Sequence, residues 1–240
     1  MLRKKLLRRC PRARTLSRKD RQRKSPNRND INDTKQKILS AALELFSICG
    51  YDAVSVGQIA KAVGIKAPSL YNHFASKRAI FDALFDETAA KYDKATDAVS
   101  VHVSESDRDV AVFTEISEDA LAEKVRSIFA YSLHDETVAR FRRMMTIEQF
   151  RSPSLGELYT RRFSERLVDY HAEIFRSLIA AGVIYGGDTN ALALMYVAPV
   201  ITLIGVCDRQ PEREAECLEK LKSHVKQFYS MVHIPVGNAR

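Results

Sequence analysis

Lys66, Ala67, Pro68, Ser69, Tyr71, Asn72, His73 and Lys77 gather small, hydroxyl, amide, imidazole and ammonium side chains in one short run. Such a set is poor equipment for bond-making chemistry. The chain shows no Gly-rich phosphate loop, no Gly-x-Ser-x-Gly and no metal-ligand spacing. His134, Asp135 and His171 do not form a recognised ligand set, and no cofactor or metal is expected. What the run can do is donate hydrogen bonds and approach a surface closely. Small Ala67 and rigid Pro68 let a helix tip near base edges, Ser69, Tyr71 and His73 can donate to phosphate oxygens, and Lys77 adds a cation at a helix start.

Positioning these groups requires two short helices and a turn. Ser55 and Gln58 read as a capping box that opens a helix whose inward face is Val56, Ile59, Ala60 and Val63. Gly64 permits the sharp turn and Ile65 plugs it. The next helix is predicted over Lys66–Phe74, with Pro68 in its first turn and Leu70 and Phe74 pointing inward. Ser55 at the first helix start joins the candidate DNA-contacting set. Ahead of this pair, a helix is predicted from near Asn32, capped by Asp33 and Gln36, with Ile38, Ala41, Ala42, Leu45, Phe46 and Cys49 on its apolar face and Gly50 as its stop. Ser76 caps a third helix carrying Ile80, Phe81, Leu84, Phe85 and Thr88. Two short helices joined by a glycine turn can place the second in the major groove of DNA.

The whole chain bounds the reading. It has 240 residues, 45% of them hydrophobic, with nine glycines, seven prolines and no tryptophan, which suits an all-α protein. Net charge is +8, yet residues 1–30 alone carry +11, so the remainder is slightly acidic at −3. Residues 1–31 read as a disordered basic arm, either a phosphate-seeking tail or a solvated leader. Cys10, Cys49, Cys207 and Cys217 are scattered and imply no disulfide framework, so a reducing cytoplasm is the expected compartment. Beyond Lys91 the sequence reads as a polar connector and then a larger helical body. Its helices start near Ser117 and Asp135 and run over about 154–181, 188–208 and 211–233. The apolar stretch Ala191–Val206 falls short of the ~20 residues of a membrane span and reads as a buried helix, with no membrane partner.

The residues between Thr34 and about Tyr92 resemble the N-terminal domain of TetR-type transcriptional regulators. The matching features are Thr34, Ile38-Leu39, Ala42 and Leu45-Phe46, the Gly50-Tyr51 corner, Ile59-Ala60 with Gly64-Ile65, and Ser69-Leu70-Tyr71-x-His73-Phe74-x-Ser76-Lys77. The resemblance implies a DNA-binding domain over 32–92 with its helix-turn-helix at 55–74, and a ligand-binding and dimerisation domain over 93–240. It implies a homodimer on double-stranded operator DNA, with recognition helices in successive major grooves about 34 Å apart. Lys66, Ala67, Pro68 and Asn72 match groove-facing positions, and Ser69, Tyr71, His73 and Lys77 match phosphate-contacting ones. Gly57 and Ala67 depart from the pattern by offering no base-reading side chain, which shifts specificity toward Lys66, Asn72 and DNA shape.

The family's dimer bundle corresponds to the helices at about 188–208 and 211–233. The sequence supports this separately, because a helix apolar on all sides needs a cover, and Ala191, Ala193, Ala198 and Gly205 allow close approach. A pocket for an unknown small-molecule ligand is expected among Phe129, Phe141, Met144, Met145, Phe163, Tyr170, Phe175 and Tyr196, residue types that equally serve as core. The expected function is a non-enzymatic, ligand-released repressor. A regulator without ligand, a nucleoid-type DNA packager and a helical enzyme are the alternatives.

Overall fold

The computed structural model describes residues 28–103 and 105–235. Among these, the secondary structure is helical apart from one isolated antiparallel bridge between Ile184 and His233. The helices are α1 (Arg28–Cys49), α2 (Val56–Val63), α3 (Ala67–Tyr71), α4 (Lys77–Asp97), α5 (Ser106–Glu115), α6 (Glu118–His134), α7 (Glu136–Glu148), α8 (Pro153–Thr160), α9 (Arg166–Ala180), α10 (Thr189–Arg209) and α11 (Glu214–Val232). The chain divides into two compact units, Met1–Thr88 with Arg140–Glu148, and Ala89–Ala139 with Gln149–Arg240.

In the first unit, α1 begins at Arg28, earlier than the expected Asn32, and residues 1–27 of the expected arm lie outside the described residues. Asp33 is therefore inside the helix and pairs with Lys37 one turn on, rather than capping. The buried face of α1 is Ile38, Leu39, Ala42, Leu43 and Phe46. Ala41, Leu45 and Cys49, expected inward, are half-buried. Adjacent apolar residues offer two overlapping helical stripes here, and packing selects the one through Leu39 and Leu43.

Phe46, Tyr51 and Phe81 form a ring chain with centroids 5.2 and 5.3 Å apart. It continues from Phe81 to Phe141 at 5.8 Å, and Phe85 meets Phe141 at 6.0 Å. The unit thus takes core residues from α7, far along the chain: Phe141, Met144 and Met145 are almost wholly buried in it.

The second unit is held by α9, α10 and α11. Tyr170, Ile174, Phe175 and Leu178 of α9 pack with Ala193, Tyr196 and Val197 of α10 and Phe228 and Val232 of α11. Cys217, Leu221, Val225, Phe228 and Val232 are buried at helical spacing along α11. The helix expected as continuous over about 154–181 is interrupted by a π-helical segment, Arg161–Glu165, between α8 and α9. Gly156 in α8 lies so close to the Gln149 carbonyl that a Cβ would sit 2.7 Å from its oxygen.

The stretch expected as a connector contains α5. Its Asp109 is fully buried, accepting the His102 backbone N–H at 2.5 Å, the His102 ring and the Tyr170 hydroxyl. Burial pushes the carboxyl pKa up, but these donors outweigh it and hold it below the usual value. A depressed carboxylate adds stability above its unfolded pKa of about 4, and that stability drains away as pH falls through the folded value. The urea midpoint should therefore drop more steeply below about pH 4 in the wild type than in Asp109→Asn, which lacks the charge. Parallel acid limbs would remove Asp109 as the cause.

Candidate nucleic-acid interface and cavity

The helix-turn-helix is built by local chemistry. Ser55, in extended backbone, caps α2: its Oγ accepts the Gln58 N–H at 3.3 Å, while the Gln58 side chain accepts the Ser55 N–H at 2.7 Å. Gly64 ends α2 at φ +79°, a left-handed conformation that costs an L side chain about 1 kcal/mol or more. The Ile65 N–H returns to the Ala60 carbonyl at 2.9 Å, closing the turn.

α3 is shorter than expected. It spans Ala67–Tyr71, and Asn72 and His73 leave it in a turn, with the His73 N–H on the Leu70 carbonyl at 2.9 Å. Ser76 then starts α4, its Oγ accepting the Ala79 N–H at 3.0 Å. Leu70 and Phe74 anchor this turn in the core.

Around that anchor, Lys66, Pro68, Ser69, Tyr71 and Asn72 are exposed, while Ala67, His73 and Lys77 are half-buried. Tyr71 is 53% exposed although it is a large aromatic residue. Lys77 is held in place: its Nζ lies 4.3 Å from the centre of the Tyr51 ring and donates to the Tyr51 carbonyl at 3.0 Å. Two of its three N–H groups remain for an outside acceptor. The buried Nδ1 of His73 has no partner. The tautomer that leaves a lone pair there, rather than an orphaned N–H, puts the proton on Nε2, a donor.

Ser55 is exposed, but its hydroxyl also donates to Gln58 Oε1 at 2.9 Å, so capping occupies it. Lys61 and Arg78 stand outside the expected contact set. Both are exposed, and together with Lys66 and Lys77 they make four cations between Ser55 and Arg78, with no carboxylate in that span. Arg78 is tied to Asp82 at 2.7 Å. The signal was present as a local charge excess, hidden by the near balance of the surrounding helices.

Among the described residues the second unit holds cavities of about 100 and about 40 Å³, which share Phe113, Leu121, His171 and Tyr196 as wall residues. Of the expected ligand residues, Phe129 and Tyr196 line the larger, and Phe175 and Tyr196 the smaller. Phe163 and Tyr170 line neither; Phe163 packs on Tyr159 at 5.0 Å, and Tyr170 is spent on Asp109. Phe141, Met144 and Met145 belong to the first unit's core, as described above. His171, Phe113 and Ile128 are wall residues that the expectation lacked. Among the described residues no cluster of His, Cys, Asp or Glu could hold a metal ion.

α10 departs from the expected buried helix. It is long and apolar enough to cross a membrane, yet only 22% of its apolar window is buried. Ala193, Tyr196, Val197 and Cys207 face the unit's interior. Ala191, Leu194, Met195, Thr202 and Arg209 are exposed, with Ala198 and Gly205 half-buried along the same stripe.

Residues 38–84 match the family model described as bacterial regulatory proteins, tetR family. Over 48 residues the chain is 50% identical to the biofilm operon icaADBC negative transcriptional regulator IcaR of Staphylococcus aureus strain Newman, a match covering 20% of this chain and 26% of that protein. Over 59 residues it is 37% identical to the transcriptional regulator AcrR of Shigella flexneri, covering 25% and 27% of the two chains. The chain thus matches only about a quarter of the length of these relatives.

Solved structures match much further along the chain. SmeT, the repressor of the Stenotrophomonas maltophilia multidrug efflux pump SmeDEF, superposes with a TM-score of 0.60 at 20% identity, over 86% of this chain and 94% of SmeT. A SmeT–triclosan complex gives 0.58 at 19% identity, over 87% and 98%. At these identities the likeness establishes the fold alone.

Proposed function

We propose that this chain, a member of the TetR family of bacterial transcriptional regulators, is a homodimeric repressor that binds operator DNA through α2 and α3 and is released by a small molecule held in its second unit. The observation that carries the DNA reading is the surface from Ser55 to Arg78: a helix-turn-helix with four cations, of which Arg78 is paired with Asp82, and no carboxylate within the run. A polyanion is the partner such a surface fits. Lys66, Ala67, Pro68 and Asn72 are the groove-facing set, and Ser69, Tyr71, His73 and Lys77 the phosphate-contacting set. With Ala67 and Gly57 unable to hydrogen-bond a base, sequence discrimination rests more on half-site spacing and DNA shape.

Two copies supply that spacing, joined through α10 and α11. The repressor role follows IcaR and SmeT, named as negative regulator and repressor. Release by a ligand is favoured by the cavities, and SmeT has been captured with triclosan. A ligand acts only by binding the operator-competent dimer less well than the alternative arrangement. The cytoplasm is the compartment this role requires.

Footprinting of the DNA flanking its own coding region, with and without candidate ligands, tests the proposal. A protected near-palindrome is expected, and equal affinity for random DNA would end this reading. Lys77→Met keeps an apolar stem on the Tyr51 ring and removes the charge. It should make the slope of log K against log salt shallower by about 2 per dimer, one for each copy. An unchanged slope would take Lys77 out of the interface.

A further inference from the structure

The larger cavity is almost wholly apolar, and most of its polar wall groups are already committed. The Thr96 hydroxyl donates to the Asp93 carbonyl at 2.9 Å, the Ser132 hydroxyl to the Ile128 carbonyl at 2.8 Å, and the Lys124 ammonium to the Val99 carbonyl. Tyr92 is engaged as well. Two wall groups carry a polar atom that makes no hydrogen bond among the described residues. His171 uses Nδ1 on the Leu167 carbonyl at 2.8 Å, which makes Nδ1 the donor and leaves Nε2 as a bare acceptor. Tyr196 is 6% exposed and its hydroxyl has no partner among the described residues. The two rings are neighbours, with centroids 5.0 Å apart. Both residues line both cavities.

An unspent acceptor and an unspent hydroxyl, carried on neighbouring rings in an apolar hollow, are costly unless something answers them. Water needs two to four polar partners and would find few others here. Resting on the ligand-release reading above, we propose that this cavity takes an uncharged, ring-sized apolar molecule bearing one hydroxyl, which donates to His171 Nε2 and accepts from the Tyr196 hydroxyl. Size agrees: a cavity of about 150 Å³ accepts benzene, so about 100 Å³ with a neighbouring 40 Å³ hollow calls for a single ring and slight movement of the shared walls. Charge agrees too. The wall has no carboxylate to pair with a cation, and its one ammonium, Lys124, is anchored on the Val99 carbonyl with its charge partly offset by the Asp109 carboxylate. Burial pushes the His171 pKa down to about 4, so near neutrality the ring is uncharged and repels no donor.

Calorimetry on the full-length, DNA-free protein with phenol, toluene and benzoate as probes separates the chemistries. Phenol should bind at least about tenfold tighter than toluene, the margin of a satisfied buried hydrogen bond, and benzoate should bind more weakly than phenol. His171→Phe keeps a ring and removes the acceptor, so it should bring phenol down to the level of toluene. Tyr196→Phe should lose part of the preference, and operator binding by both variants would confirm their folding. Toluene binding as tightly as phenol, benzoate binding tighter, a preference that survives His171→Phe, or no binding by any probe would each overturn the assignment. Operator occupancy measured on the same preparation keeps the two readings apart. Phenol that binds without loosening the operator would refute ligand release and leave the cavity chemistry standing.

Discussion

Phe141→Ala should destabilise the first unit by about 3–5 kcal/mol, the range for truncating a buried phenylalanine, although residue 141 lies far along the chain from the helix-turn-helix. Phe141 is 1% exposed and closes the ring chain through Phe81 and Phe85. Its removal leaves a hollow against both rings, lined also by dispersion contacts that nothing else can supply. Domains of this kind hold about 5–15 kcal/mol in all, so the loss is a large fraction of the total.

Urea unfolding followed by circular dichroism should show the lower midpoint, and operator affinity should fall with it on warming while Lys66, Tyr71 and Lys77 stay untouched. Phe150, 88% exposed, is the matched control: Phe150→Ala should move the midpoint by no more than about 0.5 kcal/mol. By the same argument, a fragment ending at Asp97 would uncover Phe81 and Phe85, and should be less stable than the same residues in the full chain. A loss below about 1 kcal/mol for Phe141→Ala would mean that residues 140–148 are not part of this core.

That result bears on what a sequence can tell. The run Ser55–Lys77 was legible because its constraints are local: capping serines at Ser55 and Ser76, the Gly64 turn, and the apolar pair Leu70 and Phe74 one helical turn apart. The membership of Phe141, Met144 and Met145 was not, because periodicity says that a residue faces inward and is silent on which core receives it. The same ambiguity placed these three among ligand candidates. α5 was missed for a different reason. Its inward residue Asp109 is charged, and only the His102 and Tyr170 donors, distant in sequence from one another, make that burial tolerable. His171 was legible as a residue but not as a wall of the cavity, since its role depends on Leu167 taking one ring nitrogen. On α1 two apolar stripes overlapped, and only packing against the rest of the unit chose between them.

Replacing Leu194 and Met195 together with glutamate should convert the protein to monomers and lower operator affinity by roughly 10²- to 10⁴-fold, the span that linking two binding sites contributes. These residues are 57% and 50% exposed on a helix whose apolar window is only 22% buried. An apolar stripe of this length left in water is costly and invites a cover. The spacing of Ala191, Ala198, Thr202 and Gly205 along it would let a second helix backbone come close, which a lipid cover would not need. Ala193, expected with that set, is fully buried within the unit and takes no part. Two carboxylates per copy, brought face to face across a two-fold axis, cannot be accommodated in such a seam.

Light scattering would read the mass and gel shift the affinity. The variants should keep the helical signal, because neither side chain supports its own unit's core. A wild-type protein that is monomeric at micromolar concentration, or one that partitions onto lipid vesicles through α10, would contradict the two-copy arrangement. Single half-sites should discriminate the remaining case: the monomeric variant should bind an isolated half-site as well as the wild type does, since α2 and α3 are unchanged, and lose only the advantage of the paired site.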